Sequence, residues 1–267
     1  MLTPFEVLFE TDLPEYPLPE ELKRLYGRLG FAERVVYSNF VSSLDGVVTL
    51  GSGISAGSVI SGKHPADRFL MALLRACADA VVVGAGTMRA TPGHIWTPAH
   101  VFPDLAPAFA ALRASLGRPS QPRLVLLTIT GDVDFDHPAL RNGATVLTTR
   151  KGAERISDGL PPACDVVVLG RGKKLDIKTA FDELARRRFD VVLTEGGPNL
   201  MGQLIKAELL DEMFLTLSPV IAGRDKEKRL GMVHGVEFLP STPVRSRLLS
   251  VRRQSDLLFL RYGLKPS

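Results

Sequence analysis

The stretch DVVLTEGGPNL, residues 190–200, decides the fold class of this chain of 267 residues. Its first half, residues 190–194, is a short apolar run typical of a strand that is covered on both faces. Two glycines follow, and Pro198 then opens a helical pattern, because its fixed φ suits the first turn of a helix. A buried strand that passes through glycines directly into a helix is typical of an α/β sheet.

Similar elements alternate along the rest of the chain. Apolar strands are predicted at residues 35–41, 80–83, 123–129, 145–148, 165–169 and 212–217. Helical patterns occur at residues 65–77, 177–187 and 198–207. The tail alternates at residues 244–251 and 256–262, which predicts a C-terminal β-hairpin. The predicted fold class is therefore α/β, with three layers (α/β/α) and a mixed, mainly parallel central sheet.

The chain is predicted to form one domain behind a short arm. Residues 1–30 are rich in proline and are expected to form an irregular arm with one short helix at residues 20–29. Residues 31–267 contain no repeat and no long linker, so they are assigned to a single domain. Loops are predicted at residues 51–62, 99–122 and 152–162, with a helix in the second.

The composition is ordinary for a soluble globular protein, with 45% hydrophobic and 23% charged residues. The apolar runs are far too short to span a bilayer, and the acidic N-terminus lacks the pattern of a signal peptide. Cys77 and Cys164 have no metal-ligand spacing and are predicted to be thiols rather than a disulfide. We expect a cytoplasmic protein with no metal site and no membrane partner.

The chain is modestly basic, with a net charge of +4 and a pI near 9.2. Its basic residues form no stripe interleaved with aromatics, and the densest run, residues 224–229, mixes both signs as solvated loops do. We therefore expect no nucleic-acid partner. A modest positive charge also suits an enzyme that binds an anionic substrate or cofactor.

Two buried strands lead directly into glycines, one at Val83-Gly84-Ala85-Gly86-Thr87 and the other at residues 194–200. Glycine allows backbone amides to approach a ligand closely, and the N-terminus of a following helix favours negative charge. The pair predicts a phosphate cradle at the carboxyl ends of the strands, unless both are only tight turns. The first lacks the third glycine of a Rossmann fingerprint, and neither continues into the Gly-Lys-Ser/Thr of a P-loop.

Three motifs, in order, resemble those of the pyrimidine reductases of riboflavin biosynthesis. They are NFVSSLDG at residues 39–46, VGAGT at residues 83–87, and EGGPNL at residues 195–200, continued by LDE at 210–212 and SPVIAG at 218–223. The resemblance covers residues 35–262. The His-x-Glu and Cys-x-x-Cys motifs of the zinc deaminase domain that usually accompanies this family do not occur, so a stand-alone reductase domain is expected.

The resemblance implies the fold of dihydrofolate reductase, NADPH as the cofactor, and a homodimer with residues 212–217 and the tail hairpin as contact strands. Arg150 is the candidate for the 2′-phosphate, because a guanidinium binds phosphate bidentately, although it could equally be a solvated loop arginine. The implied contacts to the nicotinamide side are Gly84, Gly86 and Thr87. Those to the pyrophosphate are Gly196, Gly197, Asn199 and Leu200, and those to the adenosine are Thr128, Thr149 and Arg150. Glu195, which precedes the two glycines, is also assigned to the cofactor site.

The resemblance also implies an aminopyrimidine- or pteridine-type substrate. Asp67, near the start of a predicted helix, resembles the carboxylate that binds the aminopyrimidine edge in bacterial dihydrofolate reductases, or else it only interacts with the helix dipole. Glu195 ends a buried strand, where loss of hydration would favour a proton-donor role, or else it ties down its glycine turn. These two are the candidate catalytic residues. Further substrate contacts are expected at Asn39, Ser42, Asp45, Ser61, Arg68 and Trp96.

Two positions depart from the family pattern. Val47 stands where many members carry a lysine, and residues 88–92 lack an aspartate before the proline. In the family these polar groups hold the ribosyl phosphate of the substrate. The riboflavin intermediate is the first expected substrate, and a dihydrofolate-like compound the second. The alternative to an enzyme is a module that binds a nucleotide without catalysing a reaction.

Overall fold

The computed structural model describes residues 2–51, 54–156, 159–170, 174–224 and 229–264. Its strands are β1 (Glu6–Glu10), β2 (Val35–Ser42), β3 (Ala80–Gly84), β4 (Arg123–Thr128), β5 (Ala144–Thr148), β6 (Asp165–Val168), β7 (Val191–Thr194), β8 (Glu212–Leu217), β9 (Arg247–Gln254) and β10 (Leu257–Gly263). Its helices are α1 (Glu20–Tyr26), α2 (Ala56–Ile60), α3 (Pro65–Cys77), α4 (Ala85–Ala90), α5 (Pro98–Val101), α6 (Ala106–Ser115), α7 (Arg150–Ile156), α8 (Ile177–Arg186) and α9 (Pro198–Lys206).

The strands of the described ranges form one sheet in the order β1-β9-β10-β8-β2-β7-β3-β4-β5-β6. Each neighbouring pair from β8 to β6 is parallel. The pairs β8–β10, β10–β9 and β9–β1 are antiparallel. This confirms the predicted mixed, mainly parallel sheet with a C-terminal hairpin. The carboxyl ends of the parallel strands meet at one edge, where open α/β sheets usually bind ligands.

Helices cover both faces of the sheet. Phe69 of α3 belongs to the hydrophobic cluster on one face, and Phe181 of α8 belongs to the cluster on the other. Within β3, Val81 and Val83 join the first cluster and Val82 joins the second. Alternate side chains of a strand point to opposite faces, so a strand buried on both faces needs apolar residues throughout. The predicted three-layer architecture is confirmed.

The N-terminal arm is more regular than its prolines suggest. Besides the helix α1, it contributes the edge strand β1, which pairs with residues 250–253 near the other end of the chain. Phe5 and Leu22 of the arm are buried in the core. The prediction of an irregular arm missed β1, because a strand of five residues depends on its distant partner more than on any local pattern.

The strands expected to contact a second copy have little free edge. β8 lies inside the sheet between β10 and β2, and β9 lies between β10 and β1. Their backbone groups are therefore paired within the chain. A contact of β8 or β9 with a second copy would therefore use a face of the strand and not its edge, and the homodimer expected from the sequence stays a prediction.

Two predicted loops contain short helices. The helix α2 lies within the loop expected at residues 51–62, and α7 covers the start of the one expected at residues 152–162. Helices of five and seven residues are too short to show a periodic apolar stripe. Cys77 and Cys164 are free thiols, as predicted. No helix of the described ranges is long and apolar enough to cross a membrane.

Candidate active site

A cavity of about 670 Å³ opens at the carboxyl ends of β2, β3, β4 and β7. Each of these strands, or the residue that follows it, brings one predicted site residue to the wall: Asn39, Gly84, Thr128 and Glu195. Residues of α2, α3, α4, α8 and α9 and of the loops between these elements also line it. The volume lies within the roughly 300–1,000 Å³ that is typical of small-molecule sites.

The two glycine turns meet in this cavity. A Cβ built on Gly197 would lie 3.7 Å from Thr87 Oγ1, so the turn after β7 contacts the turn after β3. A Cβ on Gly84 or Gly86 would meet no atom within 4 Å, because both glycines border the open space of the cavity. Gly197 begins α9 without a side-chain cap, Pro198 has no N–H, and the N–H of Leu200 donates to Gly197 O at 3.0 Å. The N–H of Asn199 is therefore the first-turn group that remains available to an anion.

Three residues of α3, spaced by four, line the cavity: Asp67, Met71 and Arg75. Residues with this spacing lie on one side of a helix. Asp67 and Arg75 are both buried, at 4% and 1% exposure. A buried charge is unfavourable unless it is paired or hydrogen-bonded, so the partners of these two side chains define the site.

Arg75 is held by a bidentate ion pair with Glu195. Its Nε and Nη2 donate to the two carboxylate oxygens of Glu195 at 2.8 and 2.6 Å. Nη1 donates to the backbone oxygen of Ile95 at 3.3 Å, and Nη2 also lies 2.8 Å from His94 Nε2. Both carboxylate oxygens of Glu195 are thus engaged by Arg75, and the residue ties the glycine turn after β7 to α3. This contact is the structural role that the sequence analysis set beside the proton-donor role.

Asp67 is in a different electrostatic environment. Burial raises the pKa of Asp67 to about 6, and the charge of Glu195 adds to the rise, while the hydroxyl groups of Thr216 and Ser61 act in the opposite direction. Their effect is limited: Thr216 Oγ1 is buried and has no hydrogen bond of good geometry within the described chain. A carboxyl with such a pKa can exchange its proton near neutral pH.

Other predicted residues also border the cavity, namely Gly86, Thr87, Trp96, Gly196, Gly197, Asn199 and Leu200. Gly196 is restricted by its neighbour, since a Cβ there would lie 2.4 Å from Leu200 Cδ2. Trp96 is 4% exposed, and its ring meets that of His94 edge-on with 5.0 Å between centroids. Trp96 therefore belongs to the core and to the cavity wall at once.

The remaining predicted substrate contacts do not line the cavity. Asp45 accepts from Ser43 Oγ and from the N–H groups of Ala222 and Gly223, and these bonds lower the pKa of Asp45 to about 2. Arg68 donates twice to the backbone oxygen of Val101 and so ties α3 to α5. Ser42 is buried and donates to the backbone oxygen of Ser43. Ser61 is also buried, and its hydroxyl group affects the site only through Asp67.

The adenosine contacts expected after β5 are displaced by close packing. A Cβ on Gly131 would lie 2.3 Å from the oxygen of Gly152, so α7 packs directly on the loop after β4. Thr149 Oγ1 donates to the oxygen of Ile129 at 2.8 Å and accepts from the N–H of Gly152 at 3.2 Å. Thr149 is buried by this contact, and Arg150 is exposed outside the cavity lining. The hydroxyl of Thr149 is therefore engaged within the protein, and the contact of Arg150 with a 2′-phosphate stays a prediction.

Two residues of the site escaped the sequence analysis, Arg75 and His94. Arg75 carries a usable signal, since it is a charged residue within an apolar helix, four positions after Met71 and eight after Asp67. His94 lies in the loop between α4 and α5, where no periodic pattern marks a residue as functional. No cluster of His, Cys, Asp or Glu able to hold a metal ion occurs among the described residues.

Two named proteins are similar to this chain in sequence. A 2,5-diamino-6-ribosylamino-4(3H)-pyrimidinone 5′-phosphate reductase of Aquifex aeolicus is 25% identical over 185 residues, which are 68% of this chain and 75% of that protein. The riboflavin biosynthesis protein RibD of Haemophilus influenzae is 29% identical over 86 residues, or 32% of this chain and 22% of RibD.

Solved structures agree in fold. A pyrimidine reductase-like protein of Corynebacterium diphtheriae superposes with a TM-score of 0.71 at 25% identity, over 92% of this chain and 99% of that one. RibD of Acinetobacter baumannii superposes with a TM-score of 0.67 at 21% identity, over 88% of this chain and 59% of that one. Residues 34–256 match the RibD C-terminal domain family, and the chain therefore belongs to that family.

Proposed function

We propose that this chain is an NADPH-dependent reductase of an aminopyrimidine, with the riboflavin-pathway 5-amino-6-ribosylaminouracil phosphate as its first substrate. The ribosylamino group would be reduced to the ribitylamino form. The observation that carries the proposal is that Asp67, a buried carboxyl with a raised pKa, lines the same cavity as two glycine turns. The Aquifex relative is named for a 2,5-diamino-6-ribosylamino-pyrimidinone phosphate, which supports a ribosylaminopyrimidine phosphate as the class of substrate. We further propose a cytoplasmic homodimer that binds no nucleic acid.

The cavity wall fits a reduced nicotinamide dinucleotide. The backbone at Gly84 and Gly86 borders space that any larger side chain would fill. The uncapped first turn of α9 lies at the same wall, where it suits a pyrophosphate. When bound, the cofactor would supply the hydride, and the protein would supply position and electrostatics. Arg150, the candidate for the 2′-phosphate, does not line the cavity. The assay below therefore compares NADPH with NADH.

The side chains of the site would supply the proton and the geometry. Reduction adds a hydride to a carbon atom of the substrate and a proton to an atom bonded to it. Asp67 would hold that proton on its carboxyl group, in the neutral form that burial favours. The Arg75–Glu195 pair would fix α3 against the glycine turn, and Trp96 would help to exclude water.

Replacing Gly84 with valine should block the cofactor without unfolding the protein. Gly84 has an extended backbone (φ −87°, ψ 154°) that a β-branched residue adopts readily. Its new side chain would stand in the proposed cofactor space, and overpacking of this kind costs about 1–3 kcal/mol. We expect affinity for NADPH, measured by fluorescence titration, to fall roughly 10–100-fold.

Gly93→Val is the matched control for this variant. A Cβ on Gly93 also meets nothing within 4 Å, but Gly93 is not part of the cavity lining. We expect this control to bind NADPH as the original protein does, with both variants melting at the original temperature. Equal affinities in the two variants would place the cofactor elsewhere.

The turnover assay supplies purified protein with NADPH or NADH, and with the riboflavin intermediate or dihydrofolate in parallel. We expect oxidation of NADPH, followed by its absorbance, to be fastest with the riboflavin intermediate. Faster oxidation with dihydrofolate would select the second candidate below. An absence of oxidation with either substrate would contradict the proposal and favour a binding module without catalysis.

A dihydrofolate-like substrate is the second candidate, because Val47 stands where a lysine would hold the ribosyl phosphate of the first. Val47 is fully buried and does not line the cavity. Among the described lining residues, the arginines are Arg75 and Arg89, which are paired with Glu195 and Asp132. Arg75 donates to both carboxylate oxygens of Glu195, whereas Arg89 is half-exposed and its contacts within the described chain use only Nη1, so Arg89 is the lining cation that could still meet a ribosyl phosphate. A folate offers the same aminopyrimidine edge to Asp67 without that phosphate.

A further inference from the structure

We propose that His94 donates a hydrogen bond through its Nδ1–H group to an acceptor on the substrate ring, and that Arg75 holds it in the required tautomer. The part that concerns the substrate rests on the proposed function. The tautomer of His94 follows from contacts within the protein and does not depend on the proposed function. No motif of the sequence marks His94, so the inference comes from the contacts of its ring.

The tautomer follows from the contact with Arg75. A guanidinium group can only donate hydrogen bonds, and its Nη2 lies 2.8 Å from His94 Nε2, so Nε2 is the acceptor. A ring whose Nε2 accepts is neutral and carries its proton on Nδ1. Burial and the charge of Arg75 also lower the pKa of His94 to about 2, with His100, His137 and Arg68 acting in the same direction.

The Nδ1–H group is free and open to the cavity. The hydrogen bonds of His94 within the described chain include none at Nδ1. Nδ1 is also not one of the buried atoms that lack a partner, so solvent reaches it, and the ring borders the cavity. The rings of Trp96 and His100 meet His94 edge-on, at 80° and 86°, and thus confine its plane. The site therefore presents a fixed neutral donor.

Such a donor selects between parts of a substrate. It favours a carbonyl oxygen on the ring or an unprotonated ring nitrogen. It disfavours an amino group at the same place, because two donors would then face each other. Asp67 on the same cavity wall keeps a carbonyl oxygen that accepts hydrogen bonds even when its carboxyl group is protonated. A donor at His94 together with an acceptor at Asp67 matches a pyrimidinone ring, which carries both a carbonyl oxygen and amino groups.

The tautomer is tested first, without substrate, by ¹⁵N NMR of the histidine rings. We expect one ring, assigned by its loss in His94→Gln, to be neutral with its proton on Nδ1 between about pH 5 and 8. A ring that carries its proton on Nε2, or that titrates near neutral pH, would overturn the inference whether or not the proposed function holds.

The donor role is tested with two variants of opposite geometry. The amide of His94→Gln reaches the position of Nε2 and can accept from Arg75, but it places nothing at Nδ1. The amide of His94→Asn stands near Nδ1 and can donate, but it does not reach Arg75. With oxidised cofactor present to prevent turnover, we expect substrate binding to weaken about tenfold in His94→Gln and little in His94→Asn.

The variant that binds substrate more weakly shows whether His94 donates to the substrate or only holds Arg75. If His94 serves only to hold Arg75, His94→Asn is the weaker binder and the inference fails. If the original protein binds substrate and both variants bind it equally, the donor role alone fails. If the original protein binds neither the riboflavin intermediate nor dihydrofolate, the proposed function fails and the donor role with it. Binding of the oxidised cofactor by both variants shows that they are folded.

Discussion

Replacing Asp67 with asparagine should lower kcat/KM by about 10²–10⁴-fold, the usual contribution of a positioned general acid. Asparagine has nearly the same shape as aspartate, but it has no proton to transfer. Because Asp67 lies on α3 and not in either glycine turn, affinity for NADPH should be unchanged. Steady-state kinetics and NADPH titration measure the two effects. Asp182→Asn, an exposed change on α8, is the control and should keep full activity.

The pH dependence of the same reaction separates two roles for Asp67. Its acid form predominates below about pH 6. If this form supplies the proton, kcat/KM is constant below that pH and falls about tenfold per pH unit above it, and Asp67→Asn lacks the bend. If Asp67 acts only as a charged acceptor for the aminopyrimidine edge, kcat/KM instead rises with pH through about 6. That outcome would show that our assignment of the proton to Asp67 is wrong.

The parts of the fold that could be predicted from the sequence are those with a local cause. The strand at residues 191–194, the two glycines and the proline of α9 are neighbours in the chain, and each restricts the backbone directly. The apolar stripe of α3 likewise repeats within thirteen residues. Two glycine turns and a carboxylate at one end of the sheet follow from such patterns, because parallel strands end at the same edge.

The parts that could not be predicted depend on contacts between distant segments. Arg75 and Glu195 are 120 residues apart, and neither residue alone indicates that its partner exists. Glu195 therefore looked free to be a proton donor when it is one half of an ion pair. Thr149 follows a strand as a cofactor contact would, but the packing of Gly152 on Gly131 buries it. The sequence placed each residue correctly at the end of its strand, but it did not indicate the contacts that its side chain makes with distant segments.

Replacing Arg75 with methionine should reduce the free energy of unfolding by about 3–5 kcal/mol, because it leaves the charge of Glu195 buried without a partner. The two side chains are 1% and 10% exposed, so solvent can do little to replace the lost contact. For a chain of this length the loss corresponds to a fall in Tm of roughly 6–20 °C. Thermal unfolding followed by circular dichroism measures it.

A double-mutant cycle tests the cause of that loss. Arg75→Met combined with Glu195→Gln leaves no unpaired ion, so we expect the double variant to be more stable than Arg75→Met alone. Arg253→Met, which breaks a half-exposed pair with Glu6, is the control and should cost no more than about 1 kcal/mol. If the single and double variants lose equal stability, the unpaired carboxylate is not the cause. Since Glu195 follows β7 and Arg75 lies on α3 with Asp67, the cycle also measures how firmly the glycine turn is held against the helix that carries the proposed acid.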